Sequence, residues 1–257
     1  MISTVLADDG YIAPGSRDFE FPAIAGGITK PMVLIFLSLL IIAAFFLISS
    51  RRRAVVPDRL QFAGETLYGF VRNTVARDVI GPEFYKFVPY LTALFCFILV
   101  NNIFGIIPFI QFPSMSRIGF PVVLSLITYV IFNVVGIRRK GLGGYLKSVM
   151  FPPGLPGWIY PLLAPIEAIS TFFVRPLTLG LRLFANMFAG HLLLLVFILG
   201  GSYMLTTGSG LLPILSPFSF AMGIIITFFE ALIQVLQAYI FVLLSALYIA
   251  GALAEEH

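Results

Sequence analysis

Cysteine, histidine and charge are all scarce in this chain. One cysteine, Cys96, and two histidines, His191 and His257, stand among 257 residues. A single cysteine inside an apolar run excludes an intrachain disulfide and a thiolate metal site, and leaves Cys96 as packing. With two histidines and no cysteine cluster, neither a metal ion nor a cofactor is expected. Charged residues make up 11% of the chain and hydrophobic ones 59%, whereas a soluble domain carries about 25% charged residues. The net charge of +4, from 16 basic and 12 acidic residues, does not imply nucleic acid; it matters through where the basic residues sit. No G-x-S-x-G, H-E-x-x-H or P-loop pattern occurs, so enzyme readings have little material. Nor does the N-terminus show a positively charged n-region or a small-residue cleavage site, so the first apolar run is expected to be an uncleaved span.

What is there is apolar sequence in long runs. Crossing a hydrocarbon core of about 30 Å takes about 20 helical residues, and several runs reach that length. A barrel would instead alternate over segments of about 10 residues. The fold class is therefore an all-α integral membrane protein, and 1–257 reads as one membrane domain. Residues 1–30, with Asp8, Asp9, Asp18 and Glu20, form an external tail. A first span at 31–49 stops at Arg51, Arg52 and Arg53. Over 57–86, Pro57 suits a first helical turn, and Leu60, Ala63, Leu67 and Val71 recur opposite Glu65, Arg72 and Asn73. That pattern predicts an interfacial amphipathic helix. Asp58 and Asp78 lie there beside arginines, where solvated pairing explains them. Two spans fill 88–137, about 88–107 and 120–137, and the basic loop Arg138, Arg139, Lys140 and Lys147 follows. Short cytoplasmic loops collect Lys and Arg. The basic stretches and the C-terminus should then be cytoplasmic and the N-terminus outside.

Beyond the Pro and Gly cluster at 152–157, apolar sequence runs from Trp158 to Leu199. As one helix this would be roughly 60 Å long, about twice the core thickness. Either it turns back near Arg175 and Pro176, or it is one steeply tilted helix. A turn would place two arginines in an outside loop, against the charge rule, so the tilted helix is favoured. A Gly-rich loop at 200–217 leads to a second long stretch from Phe218 to Ala254. Together, 158–254 form two long, strongly tilted antiparallel helices beside the three crossing helices.

Glu167, Thr171, Arg175, Thr178, Arg182 and Asn186 are spaced by four, four, three, four and four residues, which places them on one helical face. The second long stretch repeats the device with Thr227, Glu230, Gln234, Gln237, Ser245 and Tyr248. Two facing stripes would line one polar path. A charged residue inside a span costs between about 3 and more than 10 kcal/mol, so it faces water or a partner. Plainer readings stand beside the functional ones. Glu167 and Arg175 suit ion pairs or snorkelling ends, and Thr171, Thr178 and Ser245 suit backbone hydrogen bonding. Gln234, Gln237 and Asn186 suit interhelical glue worth about 0.6 to 2 kcal/mol each. His191 and Glu230 suit a mutual pair. Arg182 resists such readings: it is too far from either end to snorkel and has no acidic residue within a turn.

The stretch "LRLFANMFAGH", with Arg182, and the tail "QAYIFVLLSALYIAGALAEEH" resemble the signatures of subunit a of bacterial F-type ATP synthases. "NNIFGIIP" at 101–108 and "RRKGLGGYLK" at 138–147 resemble the same family, over roughly 88–257. The resemblance implies a proton-translocating stator in the bacterial plasma membrane, with no site for ATP chemistry of its own. Its partners would be a ring of c subunits, each carrying a mid-membrane carboxylate, the peripheral-stalk b subunits, other subunits of the synthase and the lipid bilayer. Two offset half-channels would lead protons to that carboxylate, and Arg182 matches the arginine between them. Asn186, His191, Glu230 and Gln237 match positions of proton access, with Glu167, Arg175 and Gln234 in the same stripes. Two departures stand out. The carboxylate and histidine found in some relatives are exchanged here at 191 and 230, and the segment from Glu167 to Arg182 is one residue longer. The competing readings are a secondary transporter or channel whose arginine binds an anion, which would need a pathway complete in one chain, and a structural scaffold, which leaves the stripes unexplained.

Overall fold

A computed structural model describes residues 14–15, 29–51, 56–107, 110, 112–151, 159–206 and 210–254. The tail at 1–30, Arg52 and Arg53, the cluster at 152–157 and the residues from Glu255 to His257 lie largely or wholly outside the described residues. Among those described there is no strand. Helix α1, Lys30–Ser49, has Pro31 in its first turn, where the missing N–H costs nothing. Its side chains are mostly exposed and apolar, as a lipid-facing span requires; Ser38 is buried.

Helix α2, Arg59–Phe70, begins at Asp58, whose carboxylate accepts the Arg59 backbone N–H at 2.7 Å. Asp58 is thus a helix cap rather than one half of an ion pair. Ser49 donates to the Leu60 carbonyl at 3.1 Å, and a side chain at Gly64 would collide with Ser49. α2 therefore lies against the end of α1. It continues through a π-helical stretch, Val71–Arg77, into Asp78–Ile80. Val71, Val75 and Ala76 of that stretch are buried in the main core.

Helix α3, Val88–Ile103, is 16 residues long, about 24 Å. It is shorter than the expected span to residue 107. The remaining turns are held by single bonds such as Gly105 N–H to Asn102 O at 2.9 Å and Ile107 N–H to Ile103 O at 3.3 Å. Helix α4, Gly119–Met150, departs more from expectation, because the basic stretch is helical rather than a loop. Its chain bends sharply at Gly141, where φ is 71° and ψ is 163°. That left-handed conformation suits glycine. Residues 133 and 145 of a straight helix would be about 18 Å apart, yet the Tyr145 hydroxyl donates to Asn133 Oδ1 at 3.0 Å. The Tyr145 ring lies directly on Gly136, whose missing side chain makes the approach possible. Lys86 and Arg139 both reach Glu83, at 2.7 and 3.4 Å. The Lys86 hydrogen bond and charge hold the half-buried Glu83 carboxyl below its usual range, with Arg139 adding to the effect.

Helix α5, Tyr160–Ile169, passes through a π-helical turn, Ser170–Val174, into α6, Arg175–Thr206. The chain does not turn back at Arg175 and Pro176: the helical stretch is 47 residues long, about 70 Å, and only a tilted helix fits it into a bilayer. Helix α7, Leu212–Leu253, has 42 residues. The intervening loop is shorter than the expected 200–217, for two reasons. Pro213 lies in the first turn of α7, where proline fits. Gly200 and Gly201 are helical, and Gly201 lets the Ser219 side chain approach to within 3.3 Å of where a Cβ would stand. Ser216 donates to Gly201 O at 2.8 Å and Ser219 to Phe197 O at 2.7 Å. Further along, Gly190 faces Glu230, and Arg175 lies over the Tyr248 ring. Partners rise along one helix as they fall along the other, so α6 and α7 are antiparallel and in contact over their length. Inside a bilayer no water is expelled between helices, so close packing and these hydrogen bonds hold the hairpin.

Candidate functional site

Leu179, Leu183, Met187, His191 and Leu194 form the buried face of α6, at spacings of four, four, four and three. Arg182 points elsewhere. It is exposed, as are Thr178, Leu181 and Ala185, and it falls near the midpoint of the 47-residue helix. No carboxylate among the described residues pairs with it. At 100° per residue, Asn186 lies about 40° nearer the buried face than Arg182, and it is half-buried.

Glu230 sits on the opposite helix and is 3% exposed; Gln234 is 0% exposed and Gln237 5%. Gln234 Nε2 donates to Glu230 Oε1 at 3.3 Å, while Glu230 Oε2 and Gln234 Oε1 are buried without a hydrogen bond to the protein. The Glu230 carboxyl packs over Gly190, the residue before His191; a Cβ at 190 would stand 3.5 Å from Oε1. The structure thus joins Glu230 to Gln234 on α7 and sets the Glu230 carboxyl against Gly190, the neighbour of the buried His191 on α6. Hydrogen bonding of Glu230 is to Gln234, four residues along its own helix.

The two polar stripes do not simply face each other. Glu230, Gln234, Gln237 and Ser245 turn into the chain, whereas Thr178 and Arg182 turn out of it. A stripe built on steps of four drifts by about 40° per step, so its width hides which edge is buried. Thr178 hydrogen-bonds the Val174 carbonyl at 2.7 Å, Ser245 that of Phe241 at 2.8 Å and Thr227 that of Gly223 at 2.8 Å. These three satisfy themselves within their own helices. Arg175 is half-buried, its guanidinium carbon 5.7 Å from the Tyr248 ring centroid. Glu167 is half-buried on α5 and makes no ion pair among the described residues. It is two turns from Arg175, and the π-helical turn Ser170–Val174 lies between them.

Asn101 and Asn102 belong to the same region, although spacing alone assigned them no role. Asn102 Nδ2 donates to the Gln234 carbonyl at 3.2 Å, tying α3 to α7, and its Oδ1 is buried without a partner. Asn101 Nδ2 donates to Ser38 Oγ at 2.9 Å, tying α3 to α1. Two adjacent asparagines in an apolar run were the signal. Gly105 completes the fit, since a Cβ there would stand 3.2 Å from Gln234 Nε2.

The arrangement is a buried polar region inside the chain beside a permanent charge on its outer surface. A family model described as ATP synthase A chain matches residues 32–250. A Nocardioides protein named ATP synthase subunit a is 51% identical, covering 97% of this chain and 95% of its own. The protein of that name from Pseudarthrobacter chlorophenolicus is 47% identical, over 96% and 95%. The one from Rhodococcus erythropolis is 42% identical, over 99% and 95%.

Proposed function

The chain belongs to the ATP synthase A chain family, and on that premise we propose that Arg182 discharges a carboxylate carried past it by a neighbouring rotor subunit. As a subunit a of a bacterial synthase it is a multi-pass membrane protein with a proton-translocating role. One observation carries the finer reading: a guanidinium at mid-helix, exposed among apolar side chains and unpaired among the described residues. Left against lipid it would be prohibitively costly. Its partner therefore comes from another chain, and a ring of c subunits, each with one mid-membrane carboxylate, supplies it.

The physics of the step is simple. A carboxylate facing lipid holds its proton, because desolvation penalises the charged form. At about 4 Å from Arg182 and an effective dielectric near 20, attraction of about 4 kcal/mol favours the ionised form and releases the proton. The same positive charge blocks direct passage between the two half-channels. His191, Glu230, Gln234 and Gln237, with Asn186 at the edge, form one half-channel; Glu167 and Arg175 belong to the other side of Arg182. The anion-transporter alternative needs an arginine turned into a cavity of its own chain, and Arg182 faces outward.

Cross-linking tests the reading. In the assembled synthase, a cysteine at Leu181 should form a disulfide with a cysteine beside the ring carboxylate under mild oxidation. A chain that purifies alone and yields no such product would sink it. The peripheral-stalk b subunits should co-purify. Orientation follows the charge rule, with the basic stretches and the C-terminus cytoplasmic and the N-terminus outside. In intact cells an impermeant thiol reagent should label a cysteine at Gly10 and spare one at Gly143; the reverse pattern would invert the topology.

A further inference from the structure

We propose that the bent end of α4, residues 138–150, is a binding surface for anionic phospholipid. That segment carries four basic residues, Arg138, Arg139, Lys140 and Lys147, and no acidic one. Two of the four are engaged within the chain: Arg139 lies 3.4 Å from Glu83, and Lys140 Nζ donates to Ser148 Oγ at 3.2 Å. Arg138 and Lys147 are exposed and make no ion pair among the described residues. The bend at Gly141 sets Ser148, the neighbour of Lys147, against Lys140 and so keeps the basic residues in one cluster.

The same short segment exposes large apolar side chains. Leu142 is 63% exposed and Leu146 39%, and their spacing of four puts both on one helical face. The segment follows directly on the apolar span that ends at Ile137, so it stands at headgroup height. Leucines there enter the boundary between headgroups and acyl chains, while the basic ends reach anionic phosphates. An acidic protein segment would satisfy the charges and leave both leucines facing water, which is why lipid is the occupant. Tyr145, packed on Gly136 and bonded to Asn133, fixes the shape before lipid arrives, so little ordering remains to oppose binding.

The full-length chain in nanodiscs of phosphatidylcholine mixed with phosphatidylglycerol provides the test, with lipid retained after detergent extraction read by mass spectrometry. Wild type should keep phosphatidylglycerol in preference. A basic residue at an anionic surface is worth about 1 kcal/mol, or about fivefold, so Arg138→Gln with Lys147→Gln should cut the preference roughly twentyfold. The charge-preserving pair Arg138→Lys with Lys147→Arg should retain it. Leu142→Ser with Leu146→Ser should lower the total lipid kept. No preference in wild type, or an unchanged preference in the glutamine pair, would overturn the proposal. Equal loss in the charge-preserving pair would overturn it too, since the loss would then follow disturbed packing rather than charge.

Discussion

Replacing Arg182 with alanine is expected to abolish both ATP synthesis and ATP-driven proton pumping, while passive proton leak through the assembled membrane sector persists or rises. Both halves follow from where the side chain lies. Without the guanidinium, a ring carboxylate arriving from lipid loses an attraction of about 4 kcal/mol and keeps its proton. Without the positive charge, nothing separates the buried polar region around Glu230 from the opposite side. The fold should survive, because Arg182 is exposed and the packing of α6 rests on Leu179, Leu183 and Met187. Lysine should restore coupling poorly: its compact ammonium lacks the planar fork that meets a carboxylate and sheds its proton more readily on burial. Fluorescence quenching in inverted vesicles reads the pumping, with subunit levels checked by blotting. Robust acidification by a correctly assembled Arg182→Ala variant would defeat the mechanism.

How far this was legible before the structure differs from residue to residue. The isolation of Arg182 was readable, since no acidic neighbour lies within a turn. Its outward direction was not, because periodicity fixes angles between side chains of one helix and not which side another helix will cover. The long helix through Arg175 followed from charge placement and length. The bend at Gly141 did not, because Arg, Lys, Leu and Gly compose a basic loop and a bent helix equally well; only the contact between Tyr145 and Gly136 decides. The π-helical turns at Val71–Arg77 and Ser170–Val174 carry no compositional mark. Asn101 and Asn102 depend on partners 63 and 132 residues away, beyond any local pattern.

Glu230→Gln is expected to slow proton-driven ATP synthesis by roughly 100-fold, the low end of what a positioned proton-transfer group contributes, with assembly unchanged. The substitution keeps shape and volume. It also keeps an oxygen to accept the 3.3 Å bond from Gln234 Nε2, so the contact with Gly190 should hold. What it removes is a titratable oxygen: Oε2 is buried without a bond to the protein, and a buried carboxylate oxygen so placed has water or a transiting proton as its complement. Glu230→Asp should recover part of the rate, since it restores the acid on a shorter arm. A plain packing role would give the opposite order, with Gln near wild type and Asp worse because it leaves a void. The leak supplies an independent readout. If protons reach Arg182 by way of Glu230, adding Glu230→Gln to Arg182→Ala should reduce the leak that Arg182→Ala alone permits. An equal leak in both would remove Glu230 from the path and leave it as the residue that packs on Gly190 of α6 and holds the Gln234 side chain.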